Sequence, residues 1–263
     1  MESNRNTSGM KTLGIPPCLY FIVPGNEAGT MIDKGVTAGN GNPVTLYANF
    51  DCAEDIASAR GHSAIFQVDS AAMYANGCKI ACVGNDVWNA TKIPSEFLML
   101  ANGCTSDRFY SLTFRNESTL YDYDGNVILT GEFVAIIPRQ DYIFVCLTDG
   151  GIRFYNAENN ELSERYDNFY GYDYFGGCYQ YSSRTTIDKR LCLIAENGRY
   201  GLFDIVGFRR CCECLYDNIL PICNTDCFRA ERNGAWIILG HDGLEVGDMD
   251  MLQSEADTRG GKV

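Results

Sequence analysis

A segment that recurs along the chain is the strongest constraint on its fold. Asn197-Gly-Arg-Tyr-Gly-Leu-Phe-Asp204 returns in looser form as Asn233-Gly-Ala-Trp-Ile-Ile-Leu-Gly-His-Asp-Gly243, and two fainter copies lie upstream. Self-similarity at a fixed period is the sequence signature of a repeat architecture. Aligned on their central apolar strand, the copies are spaced by 33, 48 and 35 residues and start at these positions: Leu120, Arg153, Gly201 and Trp236.

Each copy predicts a β-hairpin, because an apolar strand, a turn rich in Gly, Asn or Asp and a second apolar strand follow one another. Asp124-Gly125-Asn126 and Asp242-Gly243 supply turn residues that tolerate a positive φ. The longer middle spacing predicts an insertion at residues 177–190. A single hairpin cannot bury its apolar face, so neighbouring copies must stack. We therefore expect an all-β domain of stacked β-hairpin repeats over residues 106–250.

The best copies resemble the WG-repeat family, whose units follow a pattern close to G-K-W-G-h-I-D, then G, then P-x-Y-D-x-I. Gly198-Arg-Tyr-Gly-Leu-Phe-Asp204 followed by Tyr216-Asp-Asn-Ile219 and Pro221 fits this pattern, with Tyr200 in the place of the tryptophan. The copy around Trp236 fits next best, and the resemblance covers residues 110–250. It implies a hairpin array that serves as a binding or interaction module and has no chemistry of its own.

Composition sets the class of protein. An apolar fraction of 46% in 263 residues is ample for two folded domains. No apolar stretch approaches the roughly 20 residues that a membrane-spanning helix needs, and the first residues are too polar for a signal peptide. We expect a cytoplasmic protein that does not bind membranes, with disordered ends at residues 1–14 and 251–263 and a separate domain at residues 15–105.

The charge is unevenly distributed along the chain. Residues 1–105 carry 6 Lys+Arg against 9 Asp+Glu, and the remaining residues carry 15 against 25, which together give the net charge of −13. The repeat region therefore contributes −10 of this total. Because nucleic-acid binding rests on Lys and Arg that displace counterions, an acidic repeat domain indicates a protein partner and argues against DNA or RNA.

The thirteen cysteines are an odd number and come without a secretion signal. One cluster pairs Cys211 with Cys214 and Cys223 with Cys227, which supplies enough thiolates for a tetrahedral zinc site. Reduced thiols packed between strands explain the same residues. Both interpretations stay open, and we predict no metal site.

The first hundred residues differ from the repeats, since short strands alternate with short helices and no long crossover segment is present. Asp51 lies at a helix-capping position before an apolar pattern of helical spacing. The sequence predicts an α+β domain. Its expected strands lie at residues 19–23, 44–47, 64–68, 79–83, 86–89 and 97–100, and its expected helices at 27–34, 51–59 and 70–74.

The motifs of this region resemble those of the ADP-ribosyltransferase fold. In residue type and order they are similar to the motifs of the RNA 2'-phosphotransferases. The matching segments are Arg60-Gly-His62, residues 64–69, Met73, Gly77, Gly84-Asn-Asp-Val-Trp88 and Ile93-Pro-Ser-Glu-Phe97. The resemblance covers residues 19–100. It implies that NAD lies in a cleft between two small sheets and donates ADP-ribose or a related group.

The resemblance assigns catalysis to Arg60 and Glu96. Arg60 matches the phosphotransferase arginine and would hold a phosphate through two hydrogen bonds. Glu96 lies where many ADP-ribosyltransferases keep a catalytic glutamate, which would bind a ribose hydroxyl and stabilise oxocarbenium charge. A surface salt bridge for Arg60 and a solvated carboxylate for Glu96 are the ordinary alternatives.

The family's first strand presents a His or Arg to the NAD ribose, and Phe21 occupies that position here. Phenylalanine cannot hydrogen-bond a hydroxyl, so this contact is absent or supplied elsewhere. The resemblance assigns NAD binding to six side chains: Tyr20, Tyr47, Arg60, His62, Asn85 and Trp88. A place on a strand face, in a turn or in the core explains Tyr47, His62 and Trp88 equally well.

Two functions follow from these observations. The first is an NAD-dependent ADP-ribosyltransferase-like enzyme, in a toxin, defence or regulatory role, that carries an acidic WG-repeat interaction module. The second is a non-enzymatic protein-interaction protein whose N-terminal domain keeps the fold but has lost activity, as Phe21 indicates. Resemblance of fold does not carry activity with it, so both hypotheses stand.

Overall fold

A computed structural model describes residues 14–39, 42–140, 142–170, 190–222, 225 and 227–248. The predicted disordered ends, apart from Gly14, and the predicted insertion, apart from Arg190, lie outside these residues. The chain divides into two compact units. Unit 1 comprises residues 1–103 and 121–126, and unit 2 comprises residues 104–120 and 127–263.

Unit 1 is built on a six-stranded sheet in which every pairing is antiparallel. The strand order is β5-β6-β3-β1-β4-β8, and β2 pairs separately with β7. Single 3-10 turns at Gly25–Glu27 and Ser95–Phe97 accompany these elements. The elements in chain order are β1 Cys18–Pro24, α1 Ala28–Lys34, β2 Val36–Thr37, β3 Val44–Tyr47, α2 Phe50–Arg60, β4 Ser63–Asp69, α3 Ser70–Ala75, β5 Ile80–Gly84, β6 Val87–Ala90, β7 Lys92–Ile93 and β8 Leu98–Leu100.

Helix α2 covers one face of this sheet. Its N-cap residue Asn49 accepts a hydrogen bond of 2.8 Å from the backbone N–H of Asp51, which satisfies one free donor of the first turn. Small residues on its inner face, Ala53 and Ala57, pack with Ile65 of β4. Since side chains alternate along a strand, the opposite face of the sheet receives a second apolar set.

Unit 2 contains strands that form four consecutive sheets of four strands each. In each sheet the strands follow one another in chain order, which is the arrangement of a β-propeller blade. The first sheet comprises β9 Gly103–Thr105, β10 Phe109–Phe114, β11 Glu117–Asp122 and β12 Val127–Gly131. The second comprises β13 Phe133–Pro138, β14 Ile143–Leu147, β15 Ile152–Asn156 and β16 Glu161–Leu162. The third comprises β17 Asn168–Tyr170, β18 Leu191–Glu196, β19 Arg199–Asp204 and β20 Arg209–Tyr216, and the fourth β21 Asn218–Pro221, β22 Phe228–Arg232, β23 Ala235–Leu239 and β24 Glu245–Asp248.

Neighbouring sheets of unit 2 bury their apolar faces against each other. One cluster joins the first two sheets through Leu120 and Val145, and another joins the second and third through Phe154 and Phe203. The Phe154 and Phe203 rings stack with their centroids 4.6 Å apart. A further cluster joins the third and fourth sheets. Each of these contacts buries apolar surface, and this burial stabilises the fold by about 25 cal/mol for each Å² removed from water.

The Tyr-Asp pair of the repeat has two separate structural roles. The tyrosines fill the space between sheets. Tyr166 and Tyr216 are both buried, and the guanidinium group of an arginine lies over each ring. The Arg210 guanidinium lies 5.3 Å from the centre of the Tyr166 ring. Arg232 lies 5.8 Å from the Tyr216 ring. Both rings therefore combine apolar burial with a cation–π contact.

The aspartates of the same pair fix the turn between the second and third strands of their sheet. Asp167 Oδ2 accepts a hydrogen bond of 2.7 Å from the backbone N–H of Asn197, and Asp217 Oδ2 accepts one of 2.9 Å from that of Asn233. The two asparagines have φ values of 52° and 54°, and each precedes a glycine that also has a positive φ. Asn-Gly with two positive φ values is the signature of a tight hairpin turn. The repeated phrase thus links the start of the third and fourth sheets to their central turns.

The fold class expected from the sequence is wrong. Strand accounts for 54% of the described residues and helix for 14%, so the chain is nearly all β instead of carrying an α+β ADP-ribosyltransferase-like domain. One six-stranded antiparallel sheet stands in unit 1 where the resemblance requires two small sheets around a cleft. In unit 2 the repeats are four-stranded sheets and not hairpins. The sequence did not predict the outer strands, because strands as short as β16 have no apolar pattern.

Replacing Asp217 by alanine tests the role of the Tyr-Asp phrase. The substitution removes the acceptor of the Asn233 N–H and should lower the free energy of unfolding by about 0.5–1 kcal/mol. Urea denaturation followed by circular dichroism measures the change. Asp217→Asn keeps a side-chain oxygen and is the matched control, for which we expect a smaller loss. Equal losses in the two variants would show that the hydrogen bond is not the source of the effect.

Candidate functional site

A cavity of about 200 Å³ opens at one edge of the sheets in unit 2. We call it the loop-edge cavity, because its lining comes from connections at one edge of the sheets. These connections join the first strand of a sheet to the second, or the third strand to the fourth. Three consecutive sheets contribute to it. The lining residues are Arg108 and Phe109 from the first sheet, Arg139, Gln140, Tyr142, Ile143 and residues 154–158 from the second, and Ile205, Val206 and Phe208 from the third.

The floor of the loop-edge cavity is aromatic. Phe154 packs edge-to-face against Tyr142, with ring centroids 6.4 Å apart and planes inclined by 74°. Beneath the lining, Phe203 stacks on Phe154 and meets Phe208 edge-to-face at 5.7 Å. These are the geometries that aromatic pairs prefer, and they hold the floor rigid. Phe154 and Phe203 are buried beneath the cavity, whereas the half-buried rings of Phe109, Tyr142 and Phe208 reach its lining among polar groups.

The rim of the loop-edge cavity is charged. Arg108 and Arg139 are exposed on the connections that precede β10 and β14, and Glu158 lies on the connection after β15. The Arg108 guanidinium lies 5.1 Å from the centre of the Phe109 ring, which orients its side chain. Among the residues that the structure describes, neither arginine forms an ion pair. The part of the lining that the structure describes thus carries Arg108, Arg139 and Glu158 as its charged side chains.

The chemistry of this lining suits binding. Nucleophilic or acid–base catalysis places a nucleophile within hydrogen-bond reach of a base that a third group orients. The described lining offers guanidinium, amide and phenol groups around aromatic rings, with Glu158 as its carboxylate. Its volume lies below the roughly 300–1,000 Å³ of ordinary ligand pockets. A single side chain or a similarly small group fits this space.

The residues predicted to bind NAD lie in unit 1, on two faces of its sheet. Tyr20 of β1 and Tyr47 of β3 are direct cross-strand partners, so their side chains share a face with α2. Trp88 of β6 pairs with Leu46, one residue away, so it lies on the opposite face, where it is buried. Phe21 is buried there too and stacks on the ring of Phe66 at 5.0 Å. The sheet therefore groups Tyr20 with Tyr47 and separates them from Trp88.

The other predicted residues are exposed. Arg60 ends α2, and His62 follows it in a turn with a φ of 32°. Asn85 lies in the turn between β5 and β6, and Glu96 lies in the 3-10 turn before β8. The structure brings Arg60 and His62 into one turn but leaves Asn85 and Glu96 on separate connections. Binding of NAD by these side chains stays a prediction from the sequence.

The predicted cysteine cluster is divided by the sheet that carries it. Cys211 and Cys212 of β20 pack against the cluster between the third and fourth sheets, whereas Cys214 packs against the cluster between the second and third. The two thiols of the C-x2-C pair therefore pack against different apolar clusters. Cys223 lies outside the described residues, and within them no group of metal-ligating side chains is found around Cys227 or elsewhere.

Comparisons with known proteins add no family assignment. No family model matches the sequence, and no curated protein matches it. The computationally designed Ika4 protein is similar at 9% identity over 52% of this chain and 88% of that chain, with a TM-score of 0.26. HIRA(644-1017) is similar at 7% identity over 56% of this chain and 48% of that chain, with a TM-score of 0.28. BamB from Moraxella catarrhalis is similar at 12% identity over 65% of this chain and 60% of that chain, with a TM-score of 0.28. The chain thus spans about half of the HIRA fragment.

None of the helices within the described residues is long and apolar enough to cross a membrane. The longest of them, α2, has 11 residues, which is about half of the length that a bilayer requires.

Sequence reasoning did not single out Arg108, Arg139 or Val206, which line the loop-edge cavity. These residues come from three connections that are far apart in the chain, and no motif relates them. Their position in the sequence is the feature that could have identified them. Each lies next to an apolar strand, at the end of that strand opposite the Asn-Gly turns. Connections on one edge of stacked sheets are a common place for binding residues.

Alkylation tests the state of the cysteines in β20. Burial raises the pKa of Cys212 to about 12 and that of Cys214 to about 11, so both are neutral thiols at about pH 8. Because the thiolate is the reactive species, iodoacetamide should label the exposed Cys52 and Cys82 much faster than these two. Peptide mass spectrometry of the folded chain measures the labelling, and the urea-unfolded chain is the control. Rapid labelling of Cys212 in the folded chain would contradict the expected burial.

Proposed function

We propose that the chain is a non-enzymatic protein-interaction module that binds a short segment of a partner protein at the loop-edge cavity. The observation that carries this proposal is the cavity itself, where connections from three sheets enclose an aromatic floor and a charged rim. A hydrophobic centre with a polar rim is the ordinary anatomy of a protein-binding site.

The size of the cavity favours a peptide over a cofactor. A volume of about 200 Å³ is too small for a dinucleotide but holds one anchoring side chain. Interfaces of this kind draw most of their affinity from a few buried anchors. The flanking residues of the bound segment would then lie across the connections that carry Arg139 and Val206.

The charge of the chain supports a protein partner as well. The repeat region contributes −10 of the net charge of −13, which repels a phosphate backbone. Arg108 and Arg139 are too few to reverse this repulsion over the length of a nucleic acid. Two arginines are sufficient, however, for local contacts with one peptide.

Selection from a random peptide library tests the proposed binding. Peptides selected on the full chain should bind the Val206→Glu variant about tenfold more weakly, because the new carboxylate enters the rim and engages its arginines. Val206 is 58% exposed, so the substitution should leave the fold intact. Fluorescence anisotropy of the labelled peptides measures the affinities.

Val246→Glu is the matched control for this experiment. It introduces the same charge at an exposed valine of β24, where the side chain is 56% exposed. We expect unchanged affinity for Val246→Glu. Failure to select any peptide, or equal binding by both variants, would refute the loop-edge cavity as a protein-binding site.

A further inference from the structure

We propose that a second copy of this chain pairs with the free side of β5, so that the six-stranded sheets of two copies join into one sheet. This interaction belongs to unit 1 and does not depend on the binding of a peptide at the loop-edge cavity. Three features of β5 carry the proposal: its place in the sheet, its uncharged sequence and the direction of its backbone groups.

Strand β5 forms one side of the six-stranded sheet. It pairs with β6, and among the residues that the structure describes no strand pairs with its other side. Residues 81–84 are exposed, and the apolar side chain of Val83 is 56% exposed. An open sheet side presents a row of unpaired N–H and C=O groups, to which a further strand can add.

The sequence of β5 does little to prevent such pairing. Charged residues, proline and a very short strand are common protections of an open sheet side. Strand β5 has the five residues Ile-Ala-Cys-Val-Gly, without a charge or a proline, whereas β8 at the opposite side of the sheet has three residues. A bulge at Val83 is also a protective feature, but it lies near the end of β5 and leaves residues 80–82 in regular register with β6.

The hydrogen bonds of β6 show which backbone groups of β5 face the free side. The Asp86 carbonyl accepts a hydrogen bond of 2.9 Å from the backbone N–H of the residue that follows β3. Because successive residues of a strand direct their backbone groups to opposite sides, Asn89 faces β5. Asn89 is the register partner of Ala81, so Ala81 forms its backbone hydrogen bonds with β6. Ile80 and Cys82 therefore direct their N–H and C=O groups to the free side.

A two-fold axis at Ala81 pairs these free groups with their equivalents in a second copy. Ile80 of each copy then lies opposite Cys82 of the other, and the two residues exchange N–H···O=C hydrogen bonds. Ala81 lies opposite Ala81 of the other copy in a non-hydrogen-bonded pair, where the Cα atoms are about 4.5 Å apart and side chains come closest. The methyl group of alanine fits this position. The free side of β5 is thus complementary to itself.

Charges at the two ends of β5 favour the same arrangement. Lys79 precedes the strand, Asp86 lies in the turn that follows it, and both are exposed. Antiparallel pairing brings the Lys79 end of each strand beside the Asp86 end of the other. The net charge of −13 opposes association, but salt screens exposed charges more than about 10 Å apart at 0.1 M ionic strength. The short-range attraction at the strand ends is screened less.

The interface between the two strands is small. Two five-residue strands bury less than the roughly 1,200–2,000 Å² of a standard stable interface. The dimer is therefore a weak one that dissociates on dilution.

Sedimentation equilibrium of the full chain over a range of concentrations tests the proposal. The native chain should show a monomer–dimer equilibrium. Ala81→Lys should weaken dimerisation about tenfold or more, because it places two cations directly opposite each other. The matched control is Thr45→Lys, which adds the same charge at an exposed residue of the inner strand β3, on the same face of the sheet. This control should dimerise as the native chain does.

A mixture of two charge variants tests the register. Ala81→Glu alone should dimerise as weakly as Ala81→Lys. An equimolar mixture of the two variants should restore dimerisation, because opposite charges then meet at the axis. This restoration also shows that both variants are folded.

A cysteine at the axis gives an independent measurement of the register. In a chain that carries Cys52→Ser and Cys82→Ser, Ala81→Cys should form a disulfide-linked dimer with oxidised glutathione, since the Cα separation of a non-hydrogen-bonded pair suits a disulfide. Val83→Cys in the same chain lies opposite Lys79 of the other copy and should stay monomeric on a non-reducing gel.

The outcomes are distinct from those of the peptide experiment. A native chain that stays monomeric at all concentrations would overturn the proposal, and so would equal dimerisation by Ala81→Lys and the native chain. A mixture that fails to dimerise, or equal cross-linking through Ala81→Cys and Val83→Cys, would overturn the pairing at Ala81. Peptide binding at the loop-edge cavity is tested separately by Val206→Glu and stands or fails without β5.

Discussion

Burial of both faces of the second and third sheets between their neighbours is the constraint on which unit 2 depends. Strand β18 shows it most clearly, because five successive residues from Leu191 to Ala195 are buried. Leu193 packs toward the fourth sheet, while its neighbours Cys192 and Ile194 pack toward the second. A strand buried on both faces is an uninterrupted apolar run, and it is unstable without a neighbour on each side. The repeats therefore stabilise one another and cannot fold as separate hairpins.

The two edges of the stacked sheets serve different purposes. At one edge the Asn-Gly turns are short and held by Asp167 and Asp217, so their sequence is tightly restricted. At the other edge the connections are longer, and no comparable phrase is repeated among them. Because a rigid scaffold with variable connections is the usual basis of a binding site, the loop edge is where a partner can be recognised without cost to the fold. The loop-edge cavity lies on that side.

The sequence predicted local structure better than it predicted architecture. Expected strands such as residues 44–47 and 64–68 lie in β3 and β4, and the expected turn glycines Gly125 and Gly243 have positive φ values. Architecture was wrong because the outer strands are short and polar, as in β16, so each four-stranded sheet looked like a hairpin. In unit 1 the resemblance of the motifs predicted two small sheets. Instead, β1 pairs with both β3 and β4 and thereby joins six strands into one sheet. Pairing between distant strands is a tertiary property that short motifs do not encode.

The net charge of the chain restricts the class of its partner but not the sequence of the bound segment. The acidity of the repeat region argued for a protein over a nucleic acid, and by simple attraction it would also favour a basic protein. That second step does not follow for the loop-edge cavity, because contacts at its rim depend on side chains such as Arg108, Arg139 and Glu158 and not on the net charge. Acidic surface elsewhere then repels peptides that are acidic along their whole length. Specificity for one peptide over another of the same net charge therefore has to come from local contacts, because the long-range repulsion acts alike on both.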